Sequence, residues 1–260
     1  MIRLRQIALV ARDLDPVVAD LRTVLGLEVA HRDPVVADFG LHNAVLPAGH
    51  QFIEVVAPIR DGTAAGRYLE RRGGDGGYMV ILQCDDHGPV KARVDALGVR
   101  KVIEQDTDHY RLMQLHPVDT GGSFLEIDVQ VGGEALDGPW EPAGPNWHAA
   151  RTGTVTGITA AEIQAEDPVA VATRWAELLG LPLDATDEDA PVIHLDAAAL
   201  RFVPAVDGRG DGLAGIDLGV IAPADVLAAA ERRHLLVSED TVTIGGVRIR
   251  LDGAVGRKVR

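Results

Sequence analysis

The sequence predicts an α+β protein built from four copies of one unit: a strand, a helix, then several strands. Two observations carry this reading, an internal repeat whose helices stop at a glycine and a break in the middle of the chain. The first copy of the helical part is DLDPVVADLRTVLGLEV (13–29) and the clearest match to it is DPVAVATRWAELLGLPL (167–183). Each opens on Asp, carries apolar residues at helical spacing and ends in Leu-Gly-Leu, a helix C-terminal signal. DDHGPVKARVDALGV (85–99) and the weaker APADVLAAAERRHLLV (222–237) complete the set. The break, residues 132–153 (GGEALDGPWEPAGPNWHAARTG), is rich in Gly and Pro and has neither strand nor helix period.

Each element follows in order. Short β-type runs precede the four helices: IALVA (7–11), YMVILQC (78–84), VTGITAAEI (155–163) and LAGIDLGVI (213–221). Two or three strands follow each helix, as HNAVLPA and QFIEVVAP do in the first copy. A short helix is expected around Arg67–Arg71, within the loop at 61–77 that separates the first two units. The expected divisions are residues 1–131, a linker over 132–153 that packs on a surface, and residues 154–260. A repeat of this kind decides the fold.

Composition bounds the function. The 260 residues are 47% hydrophobic and 4% aromatic, so the core rests on Ala, Val, Leu and Ile. Lys and Arg number 25 against 39 Asp and Glu, a formal charge of −14 that repels phosphate and argues against nucleic acid and anionic lipid. Cys84 is the sole cysteine, which excludes an internal disulfide and a cysteine-based metal site. The apolar stretch near the N-terminus is too short for a signal or a membrane span, so the expectation is a cytoplasmic protein.

The strings QIALVARDLDPVVADLRTVLGLEV, QFIEVVAP (51–58) and LHPVDTGGSFLEIDV (115–129) resemble the vicinal oxygen chelate superfamily, and the third looks most like its glyoxalase I and methylmalonyl-CoA epimerase branch. The resemblance spans nearly the whole chain. It implies four βαβββ modules paired into two tandem glyoxalase-like domains with curled, half-open mixed sheets. It also implies a site at the floor of each cup, where a divalent metal polarises a carbonyl and a carboxylate moves a neighbouring proton.

The implied ligands can be taken one by one. Gln6 stands seven residues before Asp13, where the family has His or Gln. Glu54 lies inside the apolar run FIEVV, and either faces the cup or alternates to solvent. Glu126 in SFLEIDV is the same case. The fourth position falls on Tyr78 or Met79, neither a normal ligand for a hard cation. Gln6, Glu54 and Glu126 then form either a weak divalent site or a metal-free pocket in which Glu54 and Glu126 act directly. The balance falls on the metal-free form, where two carboxylates sharing one cup push one pKa upward. His42, Tyr78, Met79 and His116 are the expected substrate-binding residues. Arg67, Arg71 and Arg72 form either an anion clamp over the cup mouth or a solvated helix face.

In the second half, the Asp and Leu-Gly-Leu anchors set Ala160 against Gln6, Leu200 against Glu54, Gly215 against Tyr78–Met79 and Arg250 against Glu126. That half reads as a copy without ligands. The two His and one Glu of an iron dioxygenase are absent from both halves. The functional expectation is a lyase, isomerase or epimerase acting by proton transfer on a small carbonyl or carboxylate compound. The alternative is a non-catalytic small-molecule or antibiotic-binding protein of the bleomycin-resistance type, with a non-catalytic scaffold as a third reading. The expected state is a monomer, pseudo-dimeric within one chain, or a homodimer.

Overall fold

A computed structural model describes residues 1–187 and 190–253; the expected second half runs on to 260, and its last seven positions lie outside the described residues. The first half contains β1 (Ile2–Val10), α1 (Leu14–Leu25), β2 (Leu41–Ala48), β3 (Gln51–Pro58), α2 (Ala64–Arg72), β4 (Gly76–Cys84), α3 (Gly88–Ala96), β5 (Lys101–Asp106), β6 (Tyr110–Leu115) and β7 (Phe124–Gln130). The second contains β8 (Val155–Ala165), α4 (Pro168–Leu179), β9 (Val192–Leu195), β10 (Ala198–Pro204), β11 (Gly212–Val220), α5 (Pro223–Arg232), β12 (Val237–Ser238), β13 (Thr241–Ile244) and β14 (Val247–Gly253).

The helices end where the glycine signal places them. Gly26 and Gly180 close α1 and α4 with φ of 65° and 66°, in the left-handed region that a side chain disfavours. The fourth copy lacks this glycine, and His234 takes the left-handed conformation beyond α5 instead, at φ 58°.

Each half forms one open seven-stranded mixed sheet, in the order β2-β3-β1-β4-β7-β6-β5 and β12-β13-β14-β11-β8-β10-β9. The two match strand for strand. β1 runs antiparallel to β4 at the centre and parallel to β3, while β4 runs parallel to β7. In the second sheet β8 is antiparallel to β11 and parallel to β10, and β11 is parallel to β14. In the second and fourth modules three strands follow the helix, as the βαβββ pattern expects. In the first and third, the earliest of the three shrinks to one bridge, His31 with Val45 and Asp184 with Val192.

One face of both sheets joins the helices in a single core that crosses the two halves, from Leu9 and Leu21 through Ile127 and Trp175 to Ile249. The opposite face of the first sheet, the cup face, carries a second cluster that includes Phe52, Tyr68, Met79 and Tyr110. Residues 132–153 supply Trp140 and Trp147 to that cluster, each 1% exposed. Trp147 meets Phe52 edge-on at 5.0 Å and Trp140 meets Tyr110 at 5.6 Å. Burying a tryptophan removes ~200 Å² from water and contributes about 5 kcal/mol, an upper estimate. Residues 132–153 therefore pack into the cup face rather than over an outer surface.

Candidate active site

Strand alternation decides which residues reach the cup face. On β3, Val55 enters the shared core and Glu54 points the other way, where cover by neighbouring segments leaves it 7% exposed. On β7, Leu125, Ile127 and Val129 enter the core, so Glu126, Asp128 and Gln130 share the cup face. Gln6 lies on β1 opposite Phe52 on one side and Ile81 on the other, and Ile81 pairs in turn with Glu126.

Gln6 and Glu54 meet directly. The Gln6 amide Nε2 donates to Glu54 Oε2 at 2.9 Å, and Asn43 Nδ2 donates to Oε1 at 2.6 Å. Trp140 Nε1 donates to Gln6 Oε1 at 2.8 Å. An indole N–H can only donate, so it fixes the Gln6 oxygen toward itself and the amide N–H toward Glu54. Burial raises the Glu54 pKa, and the two amide donors partly offset that rise.

Glu126 sits in a second group. Gln114 Nε2, across from it on β6, donates to Oε2 at 2.9 Å. Two residues along, Asp128 accepts the Tyr110 hydroxyl proton in a short hydrogen bond. The Glu126 and Asp128 carboxyls also interact with each other. Burial pushes Glu126 up to about 7, with Gln114 opposing and the Glu54 charge reinforcing the rise. Burial and the Glu126 charge raise Asp128 well above the usual carboxylate range. Burial also raises the Tyr110 phenol, which keeps it a donor. Such a pair holds one proton between two carboxyls near neutral pH.

The remaining expected residues divide. Met79 lies opposite Ala8 and Phe124 on the cup face. The β1–β4 register slips between Ala8 and Leu9, which leaves Tyr78 as the extra residue, so Tyr78 joins Met79 in the same cluster. Burial raises the Tyr78 phenol beyond its ordinary range. His42 is exposed, and its neighbours along β2, Ala44 and Leu46, enter the opposite core; Asn43 is the residue of that pair on the cup face. His116 lies in the turn before β7, where Nδ1 accepts the Val118 N–H at 3.2 Å, and it lines the groove between that turn and α2.

Four members of the site, Asp128, Tyr110, Gln114 and Trp140, are not singled out by the sequence. The signal for Asp128 was present, since it stands two residues after Glu126 on a strand. Trp140 gave none, because its segment has no period.

The donor set does not fit a divalent cation. The Gln6 oxygen is occupied by the Trp140 N–H, and both Glu54 oxygens accept amide protons. Apolar Ile81 stands between Gln6 and Glu126. Among the described residues, no group of three His, Cys, Asp or Glu side chains could hold a metal ion.

The second sheet corrects one correspondence. The partner of Ala8 on β3 is Glu54, and the equivalent partner of Glu162 on β10 is Arg201, not Leu200. Leu200 faces the core; a one-residue slip exchanges faces. Arg250 does correspond to Glu126, because Gln6, Ile81 and Glu126 align with Ala160, Asp217 and Arg250. Arg201 bridges Glu162 at 3.1 Å and Asp217 at 2.7 Å, Arg248 bridges Glu162 at 2.9 Å, and Arg250 bonds Asp217.

The profile of the glyoxalase-like domain family matches residues 7–179. A mutant of 4-hydroxymandelate synthase from Streptomyces coelicolor is 15% identical with a TM-score of 0.67, over 89% of this chain and 75% of that one. A hypothetical protein from Staphylococcus aureus is 12% identical with a TM-score of 0.64, over 97% of this chain and 100% of that one. Both share the fold. Streptomyces coelicolor methylmalonyl-CoA epimerase, in complex with 2-nitronate-propionyl-CoA, is 25% identical with a TM-score of 0.44, over 49% of this chain and 96% of that one. No curated protein matches the chain.

Proposed function

The chain belongs to the glyoxalase-like domain family, within the vicinal oxygen chelate superfamily, and we propose that it is an enzyme that moves a proton next to a carbonyl or carboxylate in a small molecule. The observation that carries this reading is the Glu126 carboxyl, buried beside Asp128 and raised to about 7. A general base works best with a pKa near the operating pH. Ionised Glu126 takes the proton from the carbon beside the carbonyl and holds it. The pair's other carboxyl, Asp128, stays neutral and donates a hydrogen bond to the enolate oxygen as charge develops there. Delivery of a proton to the opposite face by a second acid gives an epimer, return of the Glu126 proton to a neighbouring atom an isomer, and loss of a leaving group a lyase reaction. Glu54, held by two amides, adds the negative charge that keeps Glu126 basic.

The reading remains that of a cytoplasmic enzyme working on small molecules, as a monomer or homodimer. No helix among the described residues is long and apolar enough to cross a membrane.

The test is deuterium wash-in. Small 2-oxo acids and other carbonyl acids are incubated with the protein in D₂O and followed by proton NMR. The expected result is exchange next to the carbonyl that falls at least a hundredfold in Glu126→Gln. Exchange that survives Glu126→Gln overturns the assignment of the base. Binding without exchange would favour the sequestering alternative.

A further inference from the structure

A groove of about 630 Å³ opens between α2, the 116–122 turn and the 209–211 loop of the second half. Its size is that of a small-molecule site. Its charge runs against the rest of the molecule. The chain carries −14, yet Arg67, Arg71, Arg72 and Arg209 line this groove against one carboxylate, Asp211. None of the four arginines makes an ion pair among the described residues.

The four divide by task. Arg72 is 5% exposed, and its Nη1 donates to the carbonyls of Arg209, Gly210 and Asp211 at 2.6–2.8 Å. Arg209 donates back to the Arg72 carbonyl at 3.1 Å and to that of Gly246 at 3.0 Å. These two fasten the halves together and leave two charges without counter-ions. Arg67 and Arg71 are exposed. Arg67 uses Nη1 on the Gly62 carbonyl at 2.8 Å, and Arg71 lies over the Tyr68 ring at 5.2 Å. Their remaining N–H groups are free for a ligand. An exposed guanidinium pair backed by one buried and one half-buried guanidinium, neither in an ion pair among the described residues, makes a local positive field that selects an oxyanion.

Apart from Tyr68 and His116, the remaining side chains of the groove are apolar. Val102 and Val118 at its rim are 45% and 74% exposed. Phe124 forms part of its wall, and Glu126 is the next residue on that face of β7, about 7 Å further along the strand.

We propose that this groove binds the substrate, and that the substrate is an amphipathic oxyanion: a carboxylate or phosphate head held by Arg67 and Arg71, with an apolar body lying on Val102, Val118 and Phe124. This rests on the proton-transfer reading, since it delivers the carbonyl past Phe124 to Glu126. It also gives the second half a function, because the 209–211 loop builds one wall.

Calorimetric binding tests the groove without any turnover. The probes are octanoate, octyl phosphate, octanol and octylamine. The expected result is that octanoate or octyl phosphate binds at least tenfold more tightly than octanol, more weakly as salt rises, and that octylamine does not bind. The tighter of the two anions identifies the head group. Arg67→Glu with Arg71→Glu is expected to weaken anion binding at least tenfold with an unchanged melting temperature, both residues being exposed. Glu126→Gln is expected to keep it. Octylamine binding as well as octanoate, or anion binding that the double charge reversal leaves intact, overturns the proposal. If anion binding follows the arginines while proton exchange ignores Glu126, the groove stands and the catalytic reading falls.

Discussion

Trp140 donates its indole proton to the Gln6 side-chain oxygen at 2.8 Å, and that bond decides which end of Gln6 faces Glu54. Trp140→Phe keeps most of the ring and removes the donor. Gln6 then loses a buried partner and the reason for its orientation. The expected cost is about 1–3 kcal/mol, read as a lower urea midpoint at unchanged m-value.

Glu126 makes stability depend on pH in a definite direction. Its folded pKa, about 7, lies above the ordinary 4.5, so the folded state holds the proton more tightly than the unfolded chain. The stabilisation is complete below about pH 4.5 and is lost as pH rises through 7. The difference of about 2.5 units corresponds to about 3 kcal/mol. Glu126→Gln should flatten that part of the stability profile, measured by chemical denaturation at pH 4.5, 6 and 8. A profile as steep as that of the wild type would argue against a raised Glu126.

The same carboxyl sets the expected rate profile. Deuterium exchange should rise with pH through about 7 as Glu126 ionises, then level. Asp128→Leu removes a hydrogen bond that holds the Glu126 pKa down and should shift that rise to higher pH.

Metal removal should leave the exchange rate unchanged. The cup-face oxygens of Gln6 and Glu54 are engaged by N–H donors, and Ile81 fills the position between Gln6 and Glu126. Exchange rates before and after dialysis against EDTA, followed by readdition of Mg²⁺ or Mn²⁺, check this. A loss of exchange that readdition restores would return these residues to the role of ligands.

Arg72→Met should be costly although it touches no proposed reacting atom. It deprives three successive carbonyls of one cationic donor, and a loss of about 3 kcal/mol is expected. Limited proteolysis should then cut near 207–211 sooner than in the wild type.

The modules were legible because local chemistry marks them: Gly26 and Gly180 stop helices in a conformation that only glycine adopts freely. Glu54 was ambiguous because alternation offers two faces, and only the fold shows that the face away from the core is covered as well. Asp128 needed no more than the same alternation applied one step past Glu126. Leu200 was set against Glu54 through anchors far from the strand, and one residue of drift moved the correspondence from Arg201 to a core position. Trp140 and the arginines around 209–211 act through tertiary contacts across more than a hundred residues, which no local pattern encodes.

The arginines at 201 and 250 have a consequence for how the two halves can change. Where the first cup floor carries acids, the second carries bases, already neutralised by Glu162 and Asp217. Replacing Arg250 alone with a carboxylate would set two acids against each other across β11 and β14. A return to the first half's chemistry would need several coordinated substitutions, each unfavourable on its own. The two cups therefore carry different chemistry, and a chain assembled from two first halves would lose the ion-pair network of the second cup.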